Sequence, residues 1–326
     1  MDRRDTGRDT ARAGGPRART GRGTRRGAGA AARRAALRGA RRRAGGSAAG
    51  AARAGGGRVR GLEGRAERNF VAHACHLHRD HPGRAVSVPP GGEVHVADSG
   101  LDDDTFNVVA GARFPGRASS ARVLATLAAL RTTGRRFTWW VGPDSRPEGL
   151  SALLAAAGAP VAAREPAMVR SLRRALPAPT ALDGLVVRRV RRAEDVAAFA
   201  AVVAANWEPP AASVTRFYAD SAEALLRPGC PALLFVGEVA GEVVASAEVF
   251  LSDGVAGLYN VSTRAGFRRR GHGAAVTLAA LRAARAAGFG TTVLQASEEG
   301  EPLYRGLGFR TFGVFTEHAV LPVTPG

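Results

Sequence analysis

Residues 258–288 read LYNVSTRAGFRRRGHGAAVTLAALRAARAAG. Their opening residues belong to a run, 255–263, that reads as a β-strand. The alanine-rich run that follows predicts a long helix over 273–287, which Gly288 closes. Between them stands a short basic loop, Arg268-Arg269-Arg270-Gly271-His272-Gly273. The start of a helix leaves its first backbone N–H groups unpaired at the positive end of the helix dipole. Glycine in such a loop removes the Cβ that would hold an anion away. Strand, glycine loop and helix together therefore suit a phosphate or pyrophosphate, and the flanking arginines add charge. The same residues also serve where a chain merely turns and stays solvated. A nucleoside-triphosphate loop is excluded, because no Gly-Lys-Ser/Thr follows. A dinucleotide fingerprint is excluded as well, since the glycine spacing differs and the expected acid downstream is missing.

A second stretch carries weight beside the first. Leu303-Tyr304-Arg305-Gly306-Leu307-Gly308-Phe309 puts a tyrosine on a short helix, 301–307, and opens a final strand region, 309–321, with Gly-Phe. Alone it is an ordinary packing motif. Further outward, a strand is predicted at 185–190 and a helix at 194–206, ended by Pro209-Pro210. A second helix follows at 214–226, then a hairpin of 232–239 and 242–251 around Gly241, with a later strand at 292–296. Residues 176–184, with Pro177 and Pro179, read as a linker. Ahead of it come a helix at 69–78, a Pro/Gly turn at 81–92, and strands at 93–97 and 106–112. A helix at 119–132 has Ser119 or Ser120 as N-cap and Gly134 as its stop. An aromatic strand at 137–141 and a helix at 148–157 complete that half. Helices alternating with strands make both halves α/β.

The chain has 326 residues, enough for two ordinary domains, and 45% are hydrophobic, enough for real cores. No apolar run of 18 residues or more predicts a membrane span, and the N-terminus has no apolar core of a secretory signal. Cys75 and Cys230 lie far apart, which fits a reducing cytoplasm and no disulfide framework. The net charge of +19 invites a nucleic-acid reading, but 20 arginines and only 5 acids precede Asn69. All the basic charge is arginine; lysine is absent. Residues 1–64 are a low-complexity mixture of Arg, Ala and Gly that cannot bury enough apolar area to offset ordering entropy. They are expected to form a disordered tail, dispensable for chemistry, with a transient helix over 30–43 at most. The alternative is a basic arm that touches nucleic acid or an acidic partner.

Taken jointly, Arg268-x-x-Gly271-x-Gly273, a helix, a strand and Tyr304-x-x-x-Gly308-Phe309 resemble the GNAT superfamily of N-acetyltransferases. The resemblance covers about 185–321, with the elements in that superfamily's order. It implies an α/β (α+β) fold with a mixed, mostly antiparallel sheet flanked by helices. It implies acetyl-CoA as cosubstrate, no metal, and transfer of an acetyl or short acyl group to a primary amine, on a small molecule or a protein. By the same resemblance, the amides of Arg269, Arg270, Gly271, His272 and Gly273 hold the CoA pyrophosphate, with Arg268 beside them. The backbone of Val261 and Thr263, on a strand that splays from its neighbour, holds the pantetheine arm and the acetyl carbonyl. Tyr304 protonates the departing thiolate. Residues 185–326 are then the catalytic domain. Residues 65–175 look like the diverged first half of a tandem GNAT-like protein, non-catalytic but able to shape the acceptor cleft. A competing reading is an acyl-CoA-binding regulatory module without turnover.

Three departures from the family pattern matter. Some relatives carry a glutamate base on the strand before the loop, where this chain has Gly257, Leu258, Tyr259 and Asn260; Glu208 and Glu248 are the substitutes to consider, each also readable as a structural acid. Ser297, which the resemblance places with the cofactor-binding residues, replaces an asparagine common before the tyrosine helix, and Ala265 stands where proline is frequent. Elsewhere, His73, Cys75, His76, His78 and His81 cluster on or near one predicted helix. With no second ligand cluster to complete a metal site, they read as packing or surface residues. Asp102-Asp103-Asp104 reads as a turn. Trp207 lies either in the core or on the acceptor wall.

Overall fold

A computed structural model describes residues 56–79, 81–89, 93–178 and 182–323. The expectations for residues 1–55, and for a helix over 30–43, lie outside the described residues. The first half of the chain runs α1 (Gly56–His76), β1 (Ala85–Ser87), β2 (His95–Asp98), β3 (Val108–Ala110), α2 (Ser119–Thr132), β4 (Phe137–Val141), α3 (Leu150–Ala156) and β5 (Val161–Ser171). The second half runs β6 (Leu185–Arg189), α4 (Ala193–Ala204), α5 (Ala212–Asp220), α6 (Ala222–Leu226), β7 (Ala232–Val239), β8 (Glu242–Ser252) and β9 (Val255–Thr263). After a 3-10 turn at Ala265–Phe267 come α7 (His272–Ala286), β10 (Thr291–Gln295), α8 (Glu301–Gly306) and β11 (Arg310–Val320).

Among the described residues, eleven strands form one sheet in the order β1-β2-β3-β4-β11-β5-β10-β9-β8-β7-β6. Each half contributes one parallel pair, β3 with β4 and β9 with β10; the other pairings are antiparallel. Each parallel pair is joined by a helix, as such a crossover requires. Each is then followed by a short helix and a strand of 11 residues. Those two long strands change places. β5, the last strand of the first half, pairs with β10 of the second, Thr291 opposite Ser171 and Gln295 opposite Ala167. β11, the last strand of the second half, pairs with β4 of the first, Thr316 opposite Val141 and Val320 opposite Phe137. The linker at 176–184 thus divides the chain, but two strands cross between the halves.

One face of the second half is covered by α7, which buries Val276, Ala280, Leu281 and Ala284 against Ala245, Ala247 and Val249 of β8. The N-cap of α7 is Gly271 in a left-handed conformation (φ 86°), which an L side chain adopts only with strain. The opposite face is covered by α4 and α5, through Val196, Phe199, Phe217 and Tyr218 against Leu234, Val236 and Phe250. A third element lies on that face. α1 packs across the seam, touching β8, β9 and β11 of the second half and β2 and β3 of the first. Its Phe70 meets Trp140 of β4, Phe315 of β11 and Tyr259 of β9, with ring centroids 5.4, 5.6 and 6.4 Å away.

α1 is longer than its sequence pattern predicts. It was expected over 69–78 and starts at Gly56, so residues 56–64 belong to a helix and not to the tail. Its composition hid it, because glycines lower helix propensity and the arginines leave no apolar stripe to read. What holds it is tertiary packing: Ala66 is fully buried and Leu62 packs against the cluster that contains Val255 and Val293. Smaller differences follow. The helix expected over 214–226 breaks at Ser221, whose hydroxyl turns inward to the Phe217 carbonyl at 2.6 Å and accepts from Arg84. The N-cap of α2 is Ala118, with no side-chain cap, rather than Ser119 or Ser120. Among the described residues no helix is long and apolar enough to cross a membrane.

Candidate active site

β9 and β10 pair over only two positions, Ala256 with Thr292 and Gly257 with Val293. Beyond Gly257 they part. β10 continues beside β5 as far as Gln295, and β9 continues beside β8 to Thr263. The cleft between them opens at the carboxyl ends of two parallel strands, where ligands bind in open α/β sheets.

A β-bulge sharpens this opening. Glu248 faces Tyr259 and Ser246 faces Ser262, so Asn260 and Val261 share the single position opposite Ala247. Asn260 takes φ 51°, a conformation that asparagine tolerates better than most residues. Its carbonyl accepts the Ser246 hydroxyl at 2.9 Å. The bulge resets the alternation of the strand. Tyr259 and Asn260 both reach the face of α1, α4 and α5, while Val261 packs in the α7 core.

The basic loop adjoins the end of β9. A Cβ placed on Gly273 would lie 3.3 Å from the Thr263 hydroxyl and 3.8 Å from a Leu303 methyl, so loop, strand end and α8 converge there. Arg269 (φ 63°) and Gly271 (φ 86°) are left-handed on either side of Arg270. Alternation of this kind gathers successive N–H groups into a concavity that favours anions. The side chains divide the work. Arg268 turns back to donate to the Thr263 carbonyl (3.0 Å) and faces Glu299 at 3.5 Å. Arg270 lies over the Phe267 ring. His272 is buried, with Nδ1 3.1 Å from the Phe267 carbonyl, so it offers the loop its backbone and not its ring.

Tyr304 sits on α8 in the same core as Leu258 and Ala296, 8% exposed, with Phe309 edge-on at 5.8 Å. Burial raises its pKa well above that of a free phenol, and the charge of Glu165 adds to the rise. The phenol therefore holds its proton at neutral pH. Glu165 lies on β5, so the first half of the chain contributes charge to this tyrosine. Ser297 is exposed and caps the turn into α8, accepting from Gly300 N at 3.2 Å.

On the other face of the cleft lies a buried polar network that the sequence did not expose as a unit. Glu248 is 1% exposed. One of its oxygens accepts from His73 Nε2 at 3.2 Å and the other from Asn260 at 2.7 Å. The Asn260 amide also reaches the Tyr218 hydroxyl at 3.0 Å. Burial opposes ionisation of Glu248, but His73, His76 and the Asn260 bond outweigh it and hold the carboxyl below its ordinary range. Tyr259 donates to Asn69 (2.8 Å), and Asn69 donates to carbonyls at the β8–β9 turn. Asn206, just after α4, donates to Ser262 at 2.7 Å. Trp207 is partly buried against the α4–α5 core. Of Glu208 and Glu248, it is Glu248 that belongs to this network.

Residues 166–299 match the family model described as Acetyltransferase (GNAT) domain, beginning within β5. Over those residues the chain carries a GNAT acetyltransferase domain. Solved structures repeat its fold over both halves. A GCN5-related N-acetyltransferase from Kribbella flavida is 21% identical, with a TM-score of 0.59 over 80% of this chain and 96% of its own. A tandem GNAT protein from the clavulanic acid biosynthesis pathway is 17% identical, with a TM-score of 0.53 over 82% and 95%. A functionally unknown conserved protein from Staphylococcus epidermidis is 12% identical, with a TM-score of 0.53 over 75% and 95%. No curated protein matches the chain. The GNAT fold is one of acyl transfer from acetyl-CoA, and the mixed, mostly antiparallel sheet expected for it is present.

Proposed function

We propose that the protein transfers an acetyl or short acyl group from acetyl-CoA to a primary amine by direct attack. The observation that carries this reading is the parting of β9 from β10 beside the left-handed loop at 269–273. The thioester enters along the α7 face. Backbone amides of Arg269, Arg270, Gly271, His272 and Gly273 hold the pyrophosphate. The free edge of β9 at Val261 and Thr263 holds the pantetheine arm and polarises the carbonyl, which is where charge develops during attack. Tyr304, kept neutral by burial, gives its proton to the leaving sulfur. The acceptor, a small-molecule or protein amine, enters from the face of α1, α4 and α5. The first half contributes α1 to that wall and β5 behind Tyr304, a shaping role rather than a second centre.

The test is release of free thiol from acetyl-CoA across a broad panel of primary amines, with calorimetry of acetyl-CoA binding alongside. Amine-dependent thiol release supports the reading. Tight acetyl-CoA binding with no release for any amine makes the protein an acyl-CoA-binding module instead.

A further inference from the structure

An amine in water near neutral pH is mostly ammonium, whose nitrogen has no lone pair to attack with. A base must take one proton first. The family's strand position for a glutamate is filled here by glycine, leucine, tyrosine and asparagine, and Glu248, the acid nearest to it, is almost fully buried and doubly hydrogen-bonded. A carboxylate so well satisfied is a poor proton acceptor. Its partner is better placed. His73 stacks on Tyr259, centroids 3.8 Å apart and planes 9° apart, and its side chain keeps 19% of its surface exposed while that of Glu248 keeps 2%. Donation from Nε2 to Glu248 leaves Nδ1 as the nitrogen with a free lone pair. A buried carboxylate behind one imidazole nitrogen fixes the tautomer and stabilises the cation that forms when the other nitrogen is protonated.

We propose that His73, supplied by the first half of the chain, is the proton acceptor for the amine, and that Glu248 is its positioning residue. This rests on the amine-acyltransferase reading above. Nδ1 takes one proton from the ammonium and later returns it to solvent. The freed lone pair forms the C–N bond at the thioester carbonyl. The C–S bond breaks with its electron pair on sulfur, which takes the Tyr304 proton, and Tyr304 recovers a proton from the nitrogen of the new amide. The ionisable groups around His73 are His76 on α1, Arg79 after it, Glu248 on β8, Tyr259 on β9 and Tyr218 on α5, with Cys230 within electrostatic reach of Glu248.

The experiment compares wild type, His73→Gln and Glu248→Gln in kcat/KM against pH, with a strongly basic alkylamine and with a weakly basic arylamine or hydrazine that is already neutral. With the alkylamine, His73→Gln should lose about 100-fold or more at pH 7. Its kcat/KM should keep rising toward the amine's own pKa, where that of wild type levels off. With the weakly basic amine the variant should act nearly as fast as wild type, and acetyl-CoA affinity should be unchanged in all three proteins. Glu248→Gln should shift the acid limb to lower pH. An equal loss on both amines, or an unaltered pH profile, overturns the assignment while leaving the acyltransferase reading intact. A wild type that turns over neither amine class overturns that reading and this one with it. Should His73→Gln fail to bind acetyl-CoA, the Glu248→Gln profile decides alone, and an unmoved limb refutes the proposal.

Discussion

Asn69 on α1 and Gly257 on β9 approach so closely that a Cβ on the glycine would lie 2.0 Å from the Asn69 side-chain oxygen. The two residues are far apart in sequence, and the closeness lets α1 lie flat on the β8–β9 hairpin. The same hypothetical Cβ would lie 2.5 Å from the Tyr259 ring. Gly142 plays the matching part in the other half, where a Cβ would lie 2.7 Å from the Glu67 carboxylate and 2.9 Å from Phe315. Missing side chains on both sides of the seam therefore set the height of α1, and with it the place of His73.

Gly257→Ala should lift α1 from the sheet. Overpacking of a well-filled site costs about 1–3 kcal/mol, and here Asn69 must also give up part of its bonding to Tyr259 and the turn carbonyls. Denaturant titration should show a loss in that range. Activity should fall more than acetyl-CoA affinity, because the disturbed helix lines the acceptor side and not the cofactor side. A variant as stable and active as wild type would show that the seam is loose.

Gly271→Asp tests the phosphate loop. The residue sits at φ 86°, and a Cβ would meet a Leu182 methyl at 3.2 Å. Left-handed backbone costs an L-residue about 1–2 kcal/mol, and the new carboxylate would repel a pyrophosphate. Calorimetry should show acetyl-CoA affinity reduced by about tenfold or more, since each 1.4 kcal/mol is tenfold. The fold should survive, because the position is exposed. Unchanged affinity in a folded variant would move the pyrophosphate elsewhere.

Much of this architecture was readable from local pattern. The helix at 119–132 and the strands at 137–141 and 255–263 lie where local composition and the glycine stops put them. The loop at 268–273 announced itself because its chemistry is carried by neighbours in sequence. The network of His73, Glu248, Asn260 and Tyr218 did not, because its members come from four elements and meet only in space. Glu248 was indistinguishable from any acid in an alternating strand until the bulge at Asn260 brought a second side chain to its face. The exchange of β5 and β11 was equally hidden. Alternation predicts that a segment is a strand, and says nothing about which neighbour it chooses.

Tyr304→Phe removes a hydroxyl and keeps the ring against Phe309. Loss of a general acid typically costs about 100- to 10,000-fold, and kcat should fall at least to the lower end of that range. Acetyl-CoA affinity should change little. The pH profile supplies a second readout. Because burial and Glu165 both push the phenol upward, any alkaline limb due to its ionisation should lie above the ordinary tyrosine range and vanish in the variant. Equal turnover by the variant would mean that water or another group protonates the thiolate.

The fold itself should weaken in mild acid, and His78 is a main cause. Its ring is 2% exposed, with Nε2 3.0 Å from the Phe106 carbonyl. Burial, with Arg84 and His76 adding to it, lowers its pKa to about 4, and the Phe106 bond only partly opposes the fall. An unfolded histidine titrates near 6.5. The folded state therefore prefers the neutral ring, so the full stability is present above pH 6.5 and drains away as pH falls toward 4. At about 1.4 kcal/mol per pKa unit, this group alone accounts for on the order of 2 kcal/mol by pH 5. His76, also lowered to about 4, adds in the same direction. Glu248 does not contribute in this window, because its effect begins only below the ordinary carboxylate pKa. His78→Gln keeps a donor for Phe106 but cannot titrate. Urea midpoints measured from pH 7.5 to pH 5 should fall less steeply for the variant than for wild type, and least steeply when His76 is replaced as well. Parallel slopes for wild type and the double variant would show that neither ring is buried in its neutral form.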